Sequence, residues 1–262
     1  MKIVQTLTNS AVHTPIQLHT ELRRSGIATA STSGVELRAN SLTTVNNSAI
    51  LNINFADYLP FAAKELSISA DPKDYILWPV IIMLSDLPNR NGVGFPLKEL
   101  VKWNIERGCQ AHKTWLGQPL CEEHNNAVLE GKDPAYGIIV DSYLSPMLGF
   151  ANDKIWKLTI MLALDRTKKP ELTRRVLDGS LNTVSMGAWT SSYLCSYCTK
   201  EIGLCDHLNP KAAFDFYSYR APDNSDHIIS RLCTNPVGLE TSLVSTPAYT
   251  QAVFDRKWFN QY

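Results

Sequence analysis

The stretch CSYCTKEIGLCDH, residues 195–207, restricts the fold of this chain more than any other. It places Cys195, Cys198, Cys205 and His207 in the pattern C-x2-C-x6-C-x-H. Two thiolates at x2 spacing can hold one ion in a tight turn, and the second pair completes the tetrahedron of sulfur and nitrogen that Zn²⁺ accepts. The pattern therefore predicts a structural zinc knuckle. Because protein ligands fill all four positions, catalysis has to be sought elsewhere.

Two other interpretations of the knuckle stay open beside incidental clustering of cysteines in a loop. A redox C-x-x-C is disfavoured, because no thioredoxin-like βαβ pattern precedes it. A nucleic-acid-binding knuckle would need a cationic aromatic surface. Tyr193 and Tyr197 supply rings, but only Lys200 lies within the knuckle and Lys211 follows it, so nucleic acid is not the expected partner.

The composition indicates a globular protein in a reducing cytoplasm. Hydrophobic residues make up 44% of the 262, and 25 Lys and Arg balance 25 Asp and Glu, so no overall charge attracts nucleic acid or an anionic membrane. The most apolar run, residues 75–84, contains Pro79 and is shorter than the ~20 residues that span a bilayer. No membrane span, secretory signal or disulfide framework is predicted.

Hydrophobic patterning predicts an α+β fold with a mainly β, barrel-like core flanked by helices. Residues 1–70, rich in Ser, Thr and Asn over the first fifty, are expected to form an N-terminal arm that is loosely ordered or forms short strands. Residues 71–262 are expected to form one domain that carries the knuckle. Strands are predicted at 75–85, 135–144, 155–164, 182–194 and 238–249, and helices at 97–108 and 170–180.

The stretch CEEHNN, residues 121–126, contains the histidine most suited to catalysis, His124. The strand NTVSMGAW supplies a candidate nucleophile, Ser185, whose hydroxyl points away from the side that the preceding valine buries. An imidazole can take the proton that makes a serine hydroxyl nucleophilic. A third group, Glu240 or Asp141, would orient the ring. From these residues alone the triad stays one hypothesis among many.

Five segments, taken in order, resemble the prohead (capsid-maturation) proteases of tailed bacteriophages. The resemblance runs from about residue 75 onward and includes the stretch that carries the family's catalytic histidine, its nucleophile strand with Val-Ser-Met-Gly, and the Cys/His knuckle that a subset carries. The segments are YILWPVIIMLSDLPNRNGVGFPLKEL, TWLGQPLCEEHNN, IMLALDRTKKPELTRRVLDGSLNTVSMGA, the knuckle itself and LETSLVSTPAYTQA.

The resemblance implies a serine protease fold like that of the herpesvirus assemblins. By position, His124 corresponds to the family's histidine, Ser185 to its nucleophile and Glu240 to its acid, with Asp141 as the second choice. The implied substrates are the phage scaffold or core protein, the major capsid protein and the protease itself, cleaved inside the assembling prohead in the host cytoplasm. Self-association also follows as an expectation.

Two other functions are weighed against the protease. A zinc-stabilised structural or scaffold component of the particle would carry the same knuckle without activity. A metal-dependent hydrolase would use Glu122, Glu123 and His124 to hold a catalytic ion. Adjacent acids on a strand face opposite ways, and the chain contains no H-E-x-x-H motif, so the metallohydrolase is disfavoured.

Overall fold

The protein is an α+β fold built mostly of strands, as a computed structural model shows for residues 55–147, 154–208, 215–250 and 252. Its larger sheet has six strands: β1 (Tyr75–Leu84), β5 (Pro119–Glu122), β6 (Gly137–Pro146), β7 (Trp156–Asp165), β8 (Val184–Trp189) and β13 (Val237–Leu243). They lie in the order β1-β7-β6-β5-β13-β8. The edge strands β1 and β8 approach each other, so this sheet curls into a half-barrel.

Neighbouring strands of this sheet run antiparallel except for β5 and β13, which are parallel. A three-stranded sheet and two hairpins complete the strands of the described part of the chain. The smaller sheet comprises β2 (Val93–Gly94), β9 (Ser192–Cys195) and β12 (Arg231–Thr234), in the order β2-β12-β9. The hairpins are β3 (Trp103–Asn104) with β4 (Cys109–Gln110) and β10 (Tyr217–Arg220) with β11 (Asp226–Ile229).

The helices of the described part are short. Two 3₁₀ turns, Pro72–Asp74 and Ala111–Trp115, accompany them. Within the described residues, no helix is long and apolar enough to cross a membrane. The α-helices are α1 (Phe55–Leu66), α2 (Leu97–Leu100), α3 (Asn126–Leu129) and α4 (Pro170–Leu177).

The large sheet is covered on both faces. The larger core contains Leu120 and Leu243 from the two parallel strands and Leu172 of α4. A second cluster contains Leu59 of α1 and Cys121 of β5. Since successive side chains of a strand point to opposite faces, Leu120 and Cys121 mark the two sides. Burial on both faces fixes the register of the central strands, because a slip of one residue would move every side chain of a strand to the opposite face of the sheet.

The long strands agree with the sequence-based predictions. Strands predicted at residues 75–85, 135–144 and 155–164 are β1, β6 and β7. The helix predicted at residues 170–180 is α4, which starts with Pro170 and ends at Leu177. The mainly β core with few helices is therefore confirmed at this level of description.

The helix predicted at residues 97–108 is wrong beyond its first turn. The α-helix ends at Leu100, and the chain then forms the β3–β4 hairpin. Helical spacing would place Val101 and Ile105 on one side of such a helix with Leu97 and Leu100, but Val101 and Ile105 are 42% and 88% exposed. The Asn104 side chain accepts a hydrogen bond from the Arg107 amide at 2.9 Å, a local turn that competes with helix formation.

The predicted strand at residues 182–194 is two strands in two sheets, β8 and β9, with a turn between them. The strand predicted at 238–249 ends at Leu243. The predicted arm also needs correction, because its residues 55–66 form helix α1, and Leu59 and Ala62 of this helix are fully buried. Of the rest of that arm, residues 67–70 form no helix or strand, and residues 1–54 lie outside the described part.

Candidate active site and metal centre

His124 follows the end of β5 in an unusual backbone conformation. Glu123 and His124 have φ values of 48° and 54°, a left-handed conformation that costs free energy for residues with a Cβ. Two hydrogen bonds to β13 hold this conformation. The Glu123 amide donates to the Leu243 carbonyl and the His124 amide donates to Ser242 Oγ, both at 3.0 Å. Strand β13, the last of this sheet along the chain, thus positions the histidine.

Glu240 orients the imidazole of His124. Nδ1 of His124 lies 2.8 Å from Glu240 Oε1, and the acid is 3% exposed while the histidine side chain is 46% exposed. The hydrogen bond from the ring to Glu240 raises the pKa of His124 against the opposing effect of partial burial. The carboxylate therefore favours the imidazolium, which is what a general base needs once it has taken a proton.

Ser185 lies on the strand beside this pair. In the antiparallel pairing of β8 with β13, Ser185 is opposite Ser242 and Gly187 is opposite Glu240. Residues directly opposite each other share a face of the sheet, with Cβ atoms about 4.5–5.5 Å apart. Ser185, 7% exposed, is therefore on the face that carries Glu240 and is next to the serine that binds the His124 backbone.

A β-bulge precedes the acid on β13. The register shifts between Gly238 and Glu240, so that Leu239 has no partner on β8. Bulges re-aim the side chains that follow them. Gly238 itself is in contact with Trp115, whose side chain would be 2.5 Å from a Cβ at position 238. The irregular strand thus presents Glu240 on the same face as Ser185.

Asp141, the second choice for the acid, is not near the histidine. It forms a buried ion pair with Lys113, whose Nζ is 3.4 Å from Asp141 Oδ1 and also donates to the Ser142 carbonyl. Burial raises the pKa of Asp141, and Lys113 opposes that shift. Of the two acids left open by the sequence, Glu240 alone contacts His124.

The acids before the histidine have other partners. Glu122 forms ion pairs with Lys169 and Arg175, which connect the end of β5 to α4. Glu123 Oε1 accepts a hydrogen bond from the Ser245 amide at 2.9 Å. Among the described residues, the knuckle is the one group of three or more His, Cys, Asp and Glu side chains arranged to share an ion.

Cys121 is the thiol nearest to this site. It is fully buried on β5, opposite Ser242 of the parallel strand β13. Burial and, secondarily, the charge of Glu240 raise the pKa of its thiol. Since the thiolate is the nucleophilic form of cysteine, Cys121 is not a competing nucleophile.

The knuckle brings its four side chains together as the sequence predicted. The ligand atoms of Cys195, Cys198, Cys205 and His207 all lie within 4.8 Å of one another, and Cys195 Sγ is 3.8 Å from His207 Nδ1. Tetrahedral Zn²⁺ with bonds of about 2.3 Å to sulfur and 2.0 Å to nitrogen places its ligands about 3.5–3.8 Å apart. The four donors therefore fit a metal such as zinc with small adjustments.

The surroundings of the cluster attach it to the smaller sheet. Cys195 ends β9 and is opposite Arg231 of β12. The ring of His207 packs edge-on against Tyr197 and Tyr219, with centroids 4.9 and 4.3 Å apart. Backbone donation from the Lys200 amide is the main effect that lowers the pKa of the Cys198 thiol, which favours the thiolate that metals bind.

Sequence reasoning missed two residues of the site, Ser242 and Gly187. Ser242 hydrogen-bonds to both His124 and Glu240, and the available signal was its position two residues after the acid, on the same face of a strand. Gly187 is directly against the acid, with Glu240 Oε1 2.5 Å from where a Cβ would be. Its signal was the glycine two residues after Ser185.

Comparisons with known proteins gave no match. No family model matches the chain, and no curated protein and no solved structure matches it significantly.

Proposed function

We propose that the protein is a serine endopeptidase in which Ser185 is the nucleophile, His124 the general base and Glu240 the orienting acid. The observation that carries this proposal is the 2.8 Å contact between His124 Nδ1 and Glu240 Oε1, next to a serine on the adjoining strand and the same face. A buried acid, a partly exposed imidazole and a neighbouring hydroxyl are the elements of a Ser-His-acid triad.

The contact to Glu240 assigns different roles to the two ring nitrogens. Nδ1–H donates to the carboxylate, so Nε2 carries the free lone pair. Nε2 takes the proton of Ser185 Oγ as that oxygen attacks a peptide carbonyl, forming a tetrahedral intermediate. The imidazolium then gives the proton to the leaving amine, and water hydrolyses the acyl-enzyme by the same sequence of proton transfers.

The position of β8 suits an extended substrate. β8 is the last strand in the order of the large sheet, and in the described part no further strand pairs with its outer edge. The Val184 amide at the start of β8 donates to the Ala252 carbonyl, but a strand edge with which no other strand pairs can bind an extended peptide through main-chain hydrogen bonds. A peptide added there would lie along the strand that carries the nucleophile, which favours a polypeptide as substrate.

The knuckle is a structural zinc site in this proposal. Cys195, Cys198, Cys205 and His207 would hold the ion, and zinc would supply cross-linking energy rather than a Lewis acid, because all four ligands come from the protein. β9, which ends in Cys195, follows β8 after a short turn. A bound ion would thus fix the chain immediately after the nucleophile strand.

The resemblance to prohead proteases supports a more specific substrate class. We infer that the substrates are the phage scaffold or core protein and the major capsid protein, with cleavage of the protease itself as well, inside the prohead in the host cytoplasm. Confinement with its substrates raises their effective concentration, so weak affinity for each cleavage site suffices. His124, Ser185 and Glu240 all lie within the segments that carry this resemblance.

The test incubates purified wild-type and Ser185→Ala protein with a scaffold or capsid polypeptide and follows cleavage by mass spectrometry. We expect discrete fragments with the wild type and none with the variant. A matched control, Ser145→Ala, removes another buried serine hydroxyl, one without a hydrogen-bond partner in the described part of the chain, and should cleave normally. Absence of cleavage by folded wild-type protein would favour the structural component instead.

A further inference from the structure

We propose that Ser242 is a positioning residue that holds the general base and its acid in register with each other; the inference rests on the proposed function. One hydroxyl connects the two groups. Ser242 Oγ accepts a hydrogen bond from the His124 amide at 3.0 Å and donates one to Glu240 Oε2 at 2.5 Å. It contacts the backbone of the histidine and the side chain of the acid.

The two bonds of Ser242 act on different degrees of freedom. The carboxylate of Glu240 uses Oε1 for the imidazole and Oε2 for Ser242, so rotation of the carboxylate about its last bond would break both contacts. The bond to the His124 amide stabilises the left-handed backbone at φ 54°. Ser242 therefore fixes both the direction of the acceptor and the position of the ring that donates to it.

Because the two hydrogen bonds of Ser242 are buried, their loss would cost free energy. Ser242 is fully buried and Glu240 is 3% exposed, so water cannot readily replace a missing partner. Removal of the hydroxyl would leave a carboxylate oxygen and a backbone amide each without this partner, and unsatisfied buried polar groups are costly. The structure would relax by turning the carboxylate or by moving the histidine segment, and either change weakens the Nδ1–Oε1 contact.

The neighbouring residue supplies a matched control. Thr241 is also fully buried on β13, and its Oγ1 has no hydrogen-bond partner among the described residues. Its side chain points to the opposite face of the sheet. Thr241→Val removes a hydroxyl from the same strand without touching His124 or Glu240, so it separates positioning from a general weakening of β13.

The kinetic test compares Ser242→Ala with Thr241→Val and wild type. A misplaced general base lowers kcat more than it weakens substrate binding. We expect Ser242→Ala to lower kcat by about tenfold or more with KM within about twofold, and Thr241→Val to match the wild type in both. Equal kcat for Ser242→Ala and wild type, or equal losses in both variants, would overturn the proposal. Ser242→Cys, similar in size with a weak S–H donor, replaces Ser242→Ala if the latter does not fold.

A second measurement does not depend on activity. The pKa of the His124 imidazole is measured by NMR titration in a Ser185→Ala background with and without Ser242→Ala. The hydrogen bond to Glu240 raises this pKa, so loss of positioning should lower it towards its ordinary value, while Thr241→Val should leave it unchanged. An unchanged or higher pKa would contradict the role of Ser242. If the wild type cleaves nothing but the pKa falls as expected, the proposed function fails and the positioning contact stands.

Discussion

Gly187 faces the carboxylate of Glu240 across the β8–β13 pair, so closely that a Cβ at position 187 would be 2.5 Å from Oε1. Real Cβ contacts essentially never come this close. An alanine at position 187 would therefore have to displace the Glu240 carboxylate or one of the two strands. Gly187, two residues after the proposed nucleophile Ser185, thus provides the space in which Glu240 reaches His124.

Gly187→Ala is therefore expected to impair turnover by displacing the acid. We expect a loss of about 10²-fold in kcat, the size of effect that follows from misplacing a catalytic group by about 1 Å. Steady-state kinetics measure it. Gly131→Ala is the control, because Gly131 has open space around it but a φ of 68°. That variant should lose about 1 kcal/mol of unfolding free energy and keep its activity. Normal turnover in Gly187→Ala would contradict the assigned acid.

Replacing Glu240 by Gln should preserve the shape of the site but not the tautomer of His124. We expect kcat to fall by about 10³–10⁴-fold, as for the amide variant of the acid in a Ser-His-Asp triad. Asp141→Asn is the comparison, because it changes the other buried acid. The Asp141→Asn variant should keep the kcat of the wild type. It should lose about 3–5 kcal/mol of unfolding free energy, since the buried Lys113 loses its partner. Reversed outcomes for the two variants would assign the acid to Asp141.

The pH dependence of kcat/KM should report the raised pKa of His124. The general base works as the neutral imidazole, so activity is low below its pKa and rises as pH passes through it. Because the hydrogen bond to Glu240 raises that pKa, the midpoint of the rise should lie above the ordinary value of about 6.5. In Glu240→Gln the midpoint should move to lower pH. A midpoint that does not respond to this substitution would argue that another group titrates.

The folding pattern could be predicted where local sequence and tertiary burial agree. The β-branched run of residues 75–84 sits in the large sheet between two packed layers, and its strand was predicted correctly. Residues 101–108 were misassigned because the helical spacing of Val101 and Ile105 does not show whether a partner surface exists to bury them. The chain instead forms the β3–β4 hairpin, in which the Asn104 side chain accepts a hydrogen bond from the Arg107 amide.

The candidate site was predictable only in part. His124, Ser185 and Glu240 carried recognisable chemistry, and spacing alone identified the four knuckle residues. The choice between Glu240 and Asp141 depended on sheet order, because β13 lies between β5 and β8. That order follows from a parallel pairing over more than a hundred residues, which local patterns do not determine. The contact of Ser242 with the His124 amide depends on the same pairing, so its spacing from Glu240 alone did not identify its role.

Removal of the metal should act on stability rather than on chemistry. We expect chelation or Cys198→Ser to lower the unfolding free energy by about 2 kcal/mol or more and to reduce amide protection in β9 and β12. Turnover measured at a temperature where the apo protein stays folded should be retained. Native mass spectrometry should find one zinc per chain in the wild type and in Cys109→Ala, whose cysteine lies outside the cluster. Loss of turnover in folded apo protein would indicate a catalytic ion.

The most direct test of the central claim is covalent labelling of the nucleophile. A fluorophosphonate probe reacts with a serine that an adjacent base activates, and peptide mass spectrometry locates the adduct. We predict one adduct, at Ser185, that disappears in Ser185→Ala and is strongly reduced in His124→Ala and Glu240→Gln. Labelling of another residue, or labelling of Ser185 that does not depend on His124, would contradict the account.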